Sequence, residues 1–300
     1  MKTTSKLFSV LVLLAVSTPA WSQQLTTKEP IKATFDESLK FRFTSLVFGS
    51  YGEFDQGGQR LSSINRFRIS KQLSDNLSFR FVLPVDYATG GFDGFNGDTP
   101  QSEDVALGDV FVQFNRNMGR IPGGANLGWS GRLYLPTSPF SREAEQVFRY
   151  KNGLTLSGNW GKTVSWEFIA EQDIYNQSRT AVLVNDFDEF GFPTSSVVNT
   201  KRYSLYYEGS VVAKVRKDLR IGINGYVYDT YYNESAINDT FTPARHEIGV
   251  GPTASFDLTD STGFSLYIWD VVNARNNPQD FLRFKGEDLT IFFVSSIGFN

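Results

Sequence analysis

Hydrophobic and polar residues alternate along most of this chain in runs of about ten residues, which is the period of β-strands. In the run 77–87, every second residue is apolar, while Ser78, Arg80 and Asp86 share the opposite face. Twelve such runs predict strands, with boundaries uncertain by a few residues, at 39–51, 63–72, 77–87, 105–115, 125–135, 147–156, 163–175, 202–215, 219–231, 245–256, 263–273 and 289–299.

The connections between these strands are of two kinds. Short turns rich in Asp, Asn and Ser follow the second, eighth and tenth strands, at 74–76, 217–218 and 258–261. Long polar segments form a second set of connections, at 52–62, 88–104, 136–146, 176–201, 232–244 and 274–288. This arrangement places both ends of the sheet on the short-turn side, as in an up-and-down antiparallel barrel with an even strand number. Twelve strands fit best, and ten or fourteen remain open.

The alternation itself indicates a membrane. After the first residues, no apolar run is long enough to span a bilayer as a helix, yet each strand has one apolar face. A charged side chain facing lipid at mid-membrane costs about 2–4 kcal/mol, which is enough to fix the register of these strands. We therefore predict an all-β fold, a transmembrane up-and-down β-barrel with its polar faces turned into the lumen.

The N-terminus predicts export. Lys2 and Lys6 precede a short apolar stretch at 7–16, and small residues at Ala20 and Ser22 suit cleavage before Gln23. The predicted organisation is a signal peptide at 1–22, a periplasmic tail or plug at 23–38 and a transmembrane barrel at 39–300.

Composition excludes several classes of function. The chain has no cysteine, so disulfides and thiolate metal sites are excluded. The formal net charge is −3, and removing Lys2 and Lys6 makes it −5, which argues against nucleic acid as a partner. The single histidine, His246, lies on the face predicted to meet lipid, and no phosphate-binding or cofactor fingerprint is present. We predict no catalytic residue, no metal and no cofactor, and hence no enzyme.

The alternating strands and the last of them, 289–299, resemble bacterial outer-membrane barrel proteins of the porin and transporter kind over the whole mature chain. Such proteins usually end on an aromatic residue, whereas Phe299 is followed here by Asn300. The segments 106–110 and 133–137 also resemble barrels of the phenol-degradation meta-pathway. The resemblance implies a place in the Gram-negative outer membrane, contact with lipid and lipopolysaccharide, and recognition of the C-terminal strand ending at Phe299 by the barrel assembly machinery.

Basic residues predicted to face the lumen suggest what the barrel transports. They lie side by side on the first three strands and recur further around the barrel, at Lys40, Arg42, Arg66, Arg68, Arg80, Arg132, Arg149 and Arg202. A pore lined by one sign of charge concentrates the opposite ion, so passage of small anionic solutes is the leading hypothesis. The alternative is that acids on the same faces, such as Glu171 and Glu208, neutralise these residues in ion pairs.

Aromatic residues in the predicted outer loops form a second candidate site, at Phe92, Phe95, Phe187, Phe190 and Phe192. Exposed aromatic side chains are unfavourable unless they contact membrane, fold inward or bind a ligand. Two functions therefore remain: passive passage of small solutes across the outer membrane, or a non-conducting barrel whose loops serve adhesion, reception or envelope structure.

Overall fold

A computed structural model describes residues 39–50, 62–88, 105–187, 193–234, 245–259, 261–273 and 289–299. The predictions for 1–38 lie outside these residues. The described residues form one short helix, α1 (Pro139–Glu143), and the strands β1 (Leu39–Ser50), β2 (Ser62–Ser74), β3 (Leu77–Ala88), β4 (Val105–Leu107), β5 (Phe111–Arg120), β6 (Asn126–Tyr134), β7 (Gln146–Trp160), β8 (Val164–Gln177), β9 (Ala181–Phe187), β10 (Pro193–Asn199), β11 (Lys201–Lys214), β12 (Leu219–Tyr232), β13 (Arg245–Asp257), β14 (Thr262–Asn273) and β15 (Leu289–Phe299).

Twelve of these strands close into an antiparallel barrel. Neighbours along the chain pair with one another, β8 pairs with β11, and β1 pairs with both β2 and β15, so the sheet has no free edge. The short β4 adds to β3 at the end of the strand, and β9 and β10 form a separate hairpin. The predicted fold class and the strand number of twelve are both confirmed.

The two ends of the barrel differ as the sequence predicts. Turns such as Asp75–Asn76, between β2 and β3, and 161–163, between β7 and β8, close one end. Leu39 and Phe299, the first and last described residues, lie at this same end, because Phe41 pairs with Phe299. Short turns are periplasmic in barrels of this kind, so we call this the periplasmic end and the opposite end the extracellular end.

The two faces of the sheet are inverted relative to a water-soluble protein. Large apolar side chains are exposed on the outer face, among them Phe114, Leu133, Leu154, Phe168 and Ile223. Polar side chains are buried on the inner face, among them Gln113, Asp173, Asn224 and Thr253. This distribution confirms the predicted assignment of the alternating faces to lipid and lumen.

Glycines paired with large aromatic residues help to fix the register of the sheet. Gly249 pairs with Tyr226, and Gly158 pairs with Trp166. A Cβ atom at Gly249 would lie 2.1 Å from Cε1 of Tyr226, so the ring occupies the space that a side chain would take. Packing an aromatic ring over a cross-strand glycine favours this register.

Two of the predicted extracellular connections contain regular structure. Within the predicted connection 136–146, residues 139–143 form α1, and within 176–201 the chain forms the β9–β10 hairpin. Phe140 and Ala144 pack with Val182 of the hairpin in a small buried cluster. None of the described residues belongs to a helix with the length and apolar character needed to cross a bilayer.

Candidate functional site

The periplasmic end of the lumen contains a cavity of about 470 Å³. Four cations predicted from the sequence line it, namely Lys40, Arg42, Arg68 and Arg80, together with Lys71, and none of its lining residues is acidic. Lys40 and Arg42 come from β1, Arg68 from β2 and Arg80 from β3, so neighbouring strands bring them together. We call this the basic mouth.

Three arginines of the basic mouth are not neutralised by any carboxylate among the described residues. Arg42 and Arg68 are directly opposed in the pairing of β1 with β2, a position where like charges destabilise a sheet. Neither they nor Arg80 forms an ion pair with any described residue, and Nε of Arg68 is buried without a hydrogen-bond partner. Within the described part of the chain, these three arginines therefore carry uncompensated positive charge.

A second cavity, of about 510 Å³, lies further along the lumen, and we call it the chamber. Arg66, two residues from Arg68 on β2, points into it and is exposed there. Arg66 likewise makes no ion pair among the described residues, so it extends the unpaired arginines of the mouth into the chamber.

The remaining cations of the chamber wall are paired. Arg149 donates from both Nε and Nη2 to the buried carboxylate of Asp173, with an Nη2–Oδ2 distance of 2.6 Å. The carboxylate of Glu171 forms ion pairs with both Arg132, at 2.9 Å, and Lys151, at 3.0 Å. The predicted neutralisation by acids is thus present on β6, β7 and β8.

Aromatic side chains form the other side of the chamber. Tyr206 and Tyr226 stack with centroids 5.9 Å apart, Tyr226 lies 4.9 Å from Trp269, and Trp269 lies 4.6 Å from Phe292. The hydroxyls of Tyr206 and Tyr226 donate to Glu208 and Glu247, at 2.7 and 2.6 Å, so both rings are held in place. We call Tyr206, Tyr226, Tyr228, Trp269 and Phe292, all of which line the chamber, the aromatic wall.

Two acids face the lumen across the barrel from the basic mouth. Glu167 on β8 and Glu208 on β11 are diagonal neighbours, since Glu167 pairs with Ser210 and Glu208 with Ile169. In the closed ring of twelve strands, β8 and β11 lie on the side away from β1, β2 and β3. Glu208 accepts hydrogen bonds from Tyr206 and Asn224, and among the described residues neither acid meets a cation.

The segment carrying α1 is fastened to the extracellular side of the chamber. Oδ1 of Asp109 accepts hydrogen bonds from the backbone N–H groups of Thr137 and Ser138, and Oδ2 accepts one from the hydroxyl of Ser141, at 2.5 Å. Ser138, Phe140 and Ser141 are lining residues of the chamber. One carboxylate therefore positions the segment that narrows the chamber from outside.

The structure sorts the predicted lumen residues into three groups. Lys40, Arg42, Arg68 and Arg80 meet in the basic mouth, while Arg66, Arg132 and Arg149 line the chamber. Arg202 requires a correction: a β-bulge between Lys201 and Tyr203 leaves it exposed, and the buried Lys201 lines the chamber in its place. Period-two alternation cannot reveal a bulge, because the pattern is shifted by one residue there.

The predicted loop aromatics fall largely outside the described residues, whereas the histidine is described. Phe92, Phe95, Phe190 and Phe192 lie outside the described residues, and Phe187 is the last residue of β9. His246 contacts Asp229 through Nδ1, on the outer face of β12 and β13. The aromatic wall was not predicted as a site, although Tyr206 alternates with lipid-facing residues in the sequence and so indicates an inward position.

Comparisons with known proteins bear on the fold. No protein-family model matches the chain, and no curated protein matches it in sequence. A solved outer membrane channel from Pseudomonas putida F1 superposes with a TM-score of 0.54 at 11% identity, over 91% of this chain and 100% of that one. KdgM porin gives a TM-score of 0.47 at 9% identity, over 86% of this chain and 99% of that one. NanC porin gives 0.43 at 10% identity, over 87% and 99%.

The protein is an outer-membrane β-barrel. The closed ring of strands, the apolar outer face and the polar lumen support this class, and the likeness to the Pseudomonas channel shows the same fold. The predicted resemblance to outer-membrane barrels and the predicted location in the outer membrane are both confirmed.

Proposed function

We propose that the barrel is a channel for passive passage of small solutes across the outer membrane and that it prefers anions. One observation carries the proposal: Arg42, Arg66, Arg68 and Arg80 form a continuous row along the lumen with no carboxylate partner among the described residues. A row of unpaired cations in a narrow passage raises the local concentration of anions and lowers that of cations.

The size of the barrel supports a narrow passage. Barrels of about eight strands are filled by their side chains, whereas barrels of sixteen to eighteen strands hold an open aqueous channel. Twelve strands fall between these limits, and the two cavities of about 470 and 510 Å³ lie along the lumen. These volumes suit small solutes rather than polymers.

The test is the reversal potential of the refolded mature chain in a planar bilayer under a potassium chloride gradient. We expect a reversal potential of the sign that marks chloride as the more permeant ion. The triple variant Arg42→Gln, Arg68→Gln, Arg80→Gln is expected to move the reversal potential toward zero or beyond it. Lys217→Gln, in an exposed turn at the same end, is the matched control and should leave the potential unchanged.

Two outcomes would overturn the proposal. A cation-selective wild-type channel would mean that Glu167, Glu208 and the other acids dominate the lumen. A folded barrel with no conductance would mean that the lumen is closed, and would favour a function of the extracellular loops in adhesion, reception or envelope structure. The paired residues of the chamber and the fastening of α1 by Asp109 are the features that would support closure.

The other expected properties belong to this proposal. We propose that the protein is not an enzyme. The charged residues of the chamber wall described above form ion pairs, and its aromatic residues pack against one another. No group of three or more metal-ligating side chains occurs among the described residues. Lipid and lipopolysaccharide contact the apolar outer face. Phe299, which is exposed at the end of β15, is the proposed signal to the assembly machinery.

A further inference from the structure

The chamber differs from the basic mouth because it combines a cation with an aromatic surface. Arg66 is exposed in the chamber, and the aromatic wall begins two strands away around the barrel, with Phe292 on β15, since only β1 lies between β2 and β15. A chloride ion needs only the cation. Five fixed rings lining one side of a water-filled passage have no role in conducting a small inorganic ion.

The aromatic wall also carries an unsatisfied donor. Nε1 of Trp269 is buried and has no hydrogen-bond partner among the described residues, although this side chain lines the chamber. Nε of Arg132, on the basic side of the chamber, is likewise buried without a hydrogen-bond partner among the described residues. A buried donor without an acceptor is unfavourable in an empty site.

We infer that the chamber is a binding site for a small aromatic carboxylate, with the ring against Trp269 and Tyr226 and the carboxylate toward Arg66. The inference rests on the proposed function, of which it names the solute class. Flat rings pack against tryptophan and tyrosine in offset or edge-on arrangements, and a guanidinium recognises a carboxylate with two parallel hydrogen bonds. The volume of about 510 Å³ is in the range of sites for small organic molecules.

The glycines of β13 are consistent with this role. Gly249 is the cross-strand partner of Tyr226, and its missing side chain leaves the space that the ring fills. Thus β13 contributes no bulky side chain at this point, and the rings of β12 and β14 come within 4.9 Å of each other to form one surface.

The test is ligand-observed NMR on the refolded mature chain in detergent, with benzoate, acetate, benzamide and galacturonate as probes. Benzoate is expected to bind more tightly than benzamide, which keeps the ring but lacks the charge that Arg66 recognises. Benzoate is also expected to bind more tightly than acetate, by roughly three- to ten-fold, the contribution expected of one aromatic contact. Trp269→Leu should abolish this preference, and Trp269→Phe, which keeps a ring, should retain most of it. Trp166→Leu is the matched control, because Trp166 lies on the lipid-facing side of β8. Arg66→Gln should weaken benzoate and acetate alike.

The possible results separate this inference from the proposed function. Equal binding of benzoate, acetate and benzamide would overturn the aromatic site, even in an anion-selective channel. Tighter binding of galacturonate than of benzoate would also overturn it and would assign the wall to sugar rings. Loss of anion selectivity in the bilayer would refute the proposed function without changing the binding result. Each variant is first checked for folding by its resistance to unfolding in detergent at room temperature.

Discussion

Removing the carboxylate of Asp173 should destabilise the barrel strongly. Asp173 is 2% exposed, its carboxylate accepts hydrogen bonds from Nε and Nη2 of Arg149, and Lys151 lies 3.8 Å away. In Asp173→Ala, the guanidinium of Arg149 would remain between the rings of Tyr134 and Tyr175, 4.3 and 4.7 Å from their centroids, without a counter-charge. Breaking one side of a buried pair costs about 3–5 kcal/mol.

The lower end of that range applies here. The side chain of Arg149 is 22% exposed to the lumen, and water there stabilises the unpaired cation in part. We therefore expect a loss of about 3 kcal/mol in the free energy of unfolding. The measurement is denaturant unfolding of the barrel in lipid vesicles, followed by tryptophan fluorescence. The double variant Arg149→Leu, Asp173→Leu should recover much of the loss, because it removes both charges.

The control is an exposed ion pair on the same barrel. Arg220 and Asp257 approach to 2.8 Å with side chains that are 45% and 48% exposed, so Asp257→Ala should cost less than about 1 kcal/mol. If Asp173→Ala unfolds within about 1 kcal/mol of the wild type, the pair is solvated and the estimate for a buried charge does not apply.

Two further changes test other parts of the structure. Asp109→Ala removes the acceptor of three hydrogen bonds to the α1 segment, so single-channel recordings should show larger fluctuations of the open-state current; a trace as quiet as that of the wild type would show that α1 is held by other contacts. Gly249→Ala places a Cβ atom 2.1 Å from Tyr226 and should lower the free energy of unfolding by about 1–3 kcal/mol, whereas Gly209→Ala, where nothing lies within 4 Å, should not; equal stability of the two variants would contradict the packing argument.

Much of the fold could be predicted from the sequence because two energetic rules act on every strand. Charges cannot face lipid, so Arg80 and Asp86 fix the orientation of β3, and the remaining strands follow the same alternation. Turn residues such as Asp75 and Asn76 mark the periplasmic end. Nothing comparable acts on the extracellular connections, where α1 and the β9–β10 hairpin depend on packing of Phe140 and Val182.

The lumen site could be predicted only in part, because ion pairing depends on details of strand register. The basic mouth follows from adjacent strands, so Arg42, Arg68 and Arg80 were grouped correctly. Which cations are paired depends on the stagger between strands: Lys151 is directly opposite Asp173, yet the closer ion pair of Asp173 is with Arg149, whose cross-strand partner is Tyr175. The bulge that exchanges Arg202 for Lys201 is equally invisible in a single sequence.

The placement of Glu167 and Glu208 across the ring from Arg42 and Arg68 has an effect beyond the sign of the permeant ion. Charges of opposite sign on facing sides of a lumen exert a torque on any molecule with separated charges, so that such a molecule enters with its negative end toward β1–β3. Two solutes of equal size and equal net charge then differ in their rate of entry according to the distance between their charged groups. Molecular shape and internal polarity, and not charge alone, become properties on which this barrel discriminates.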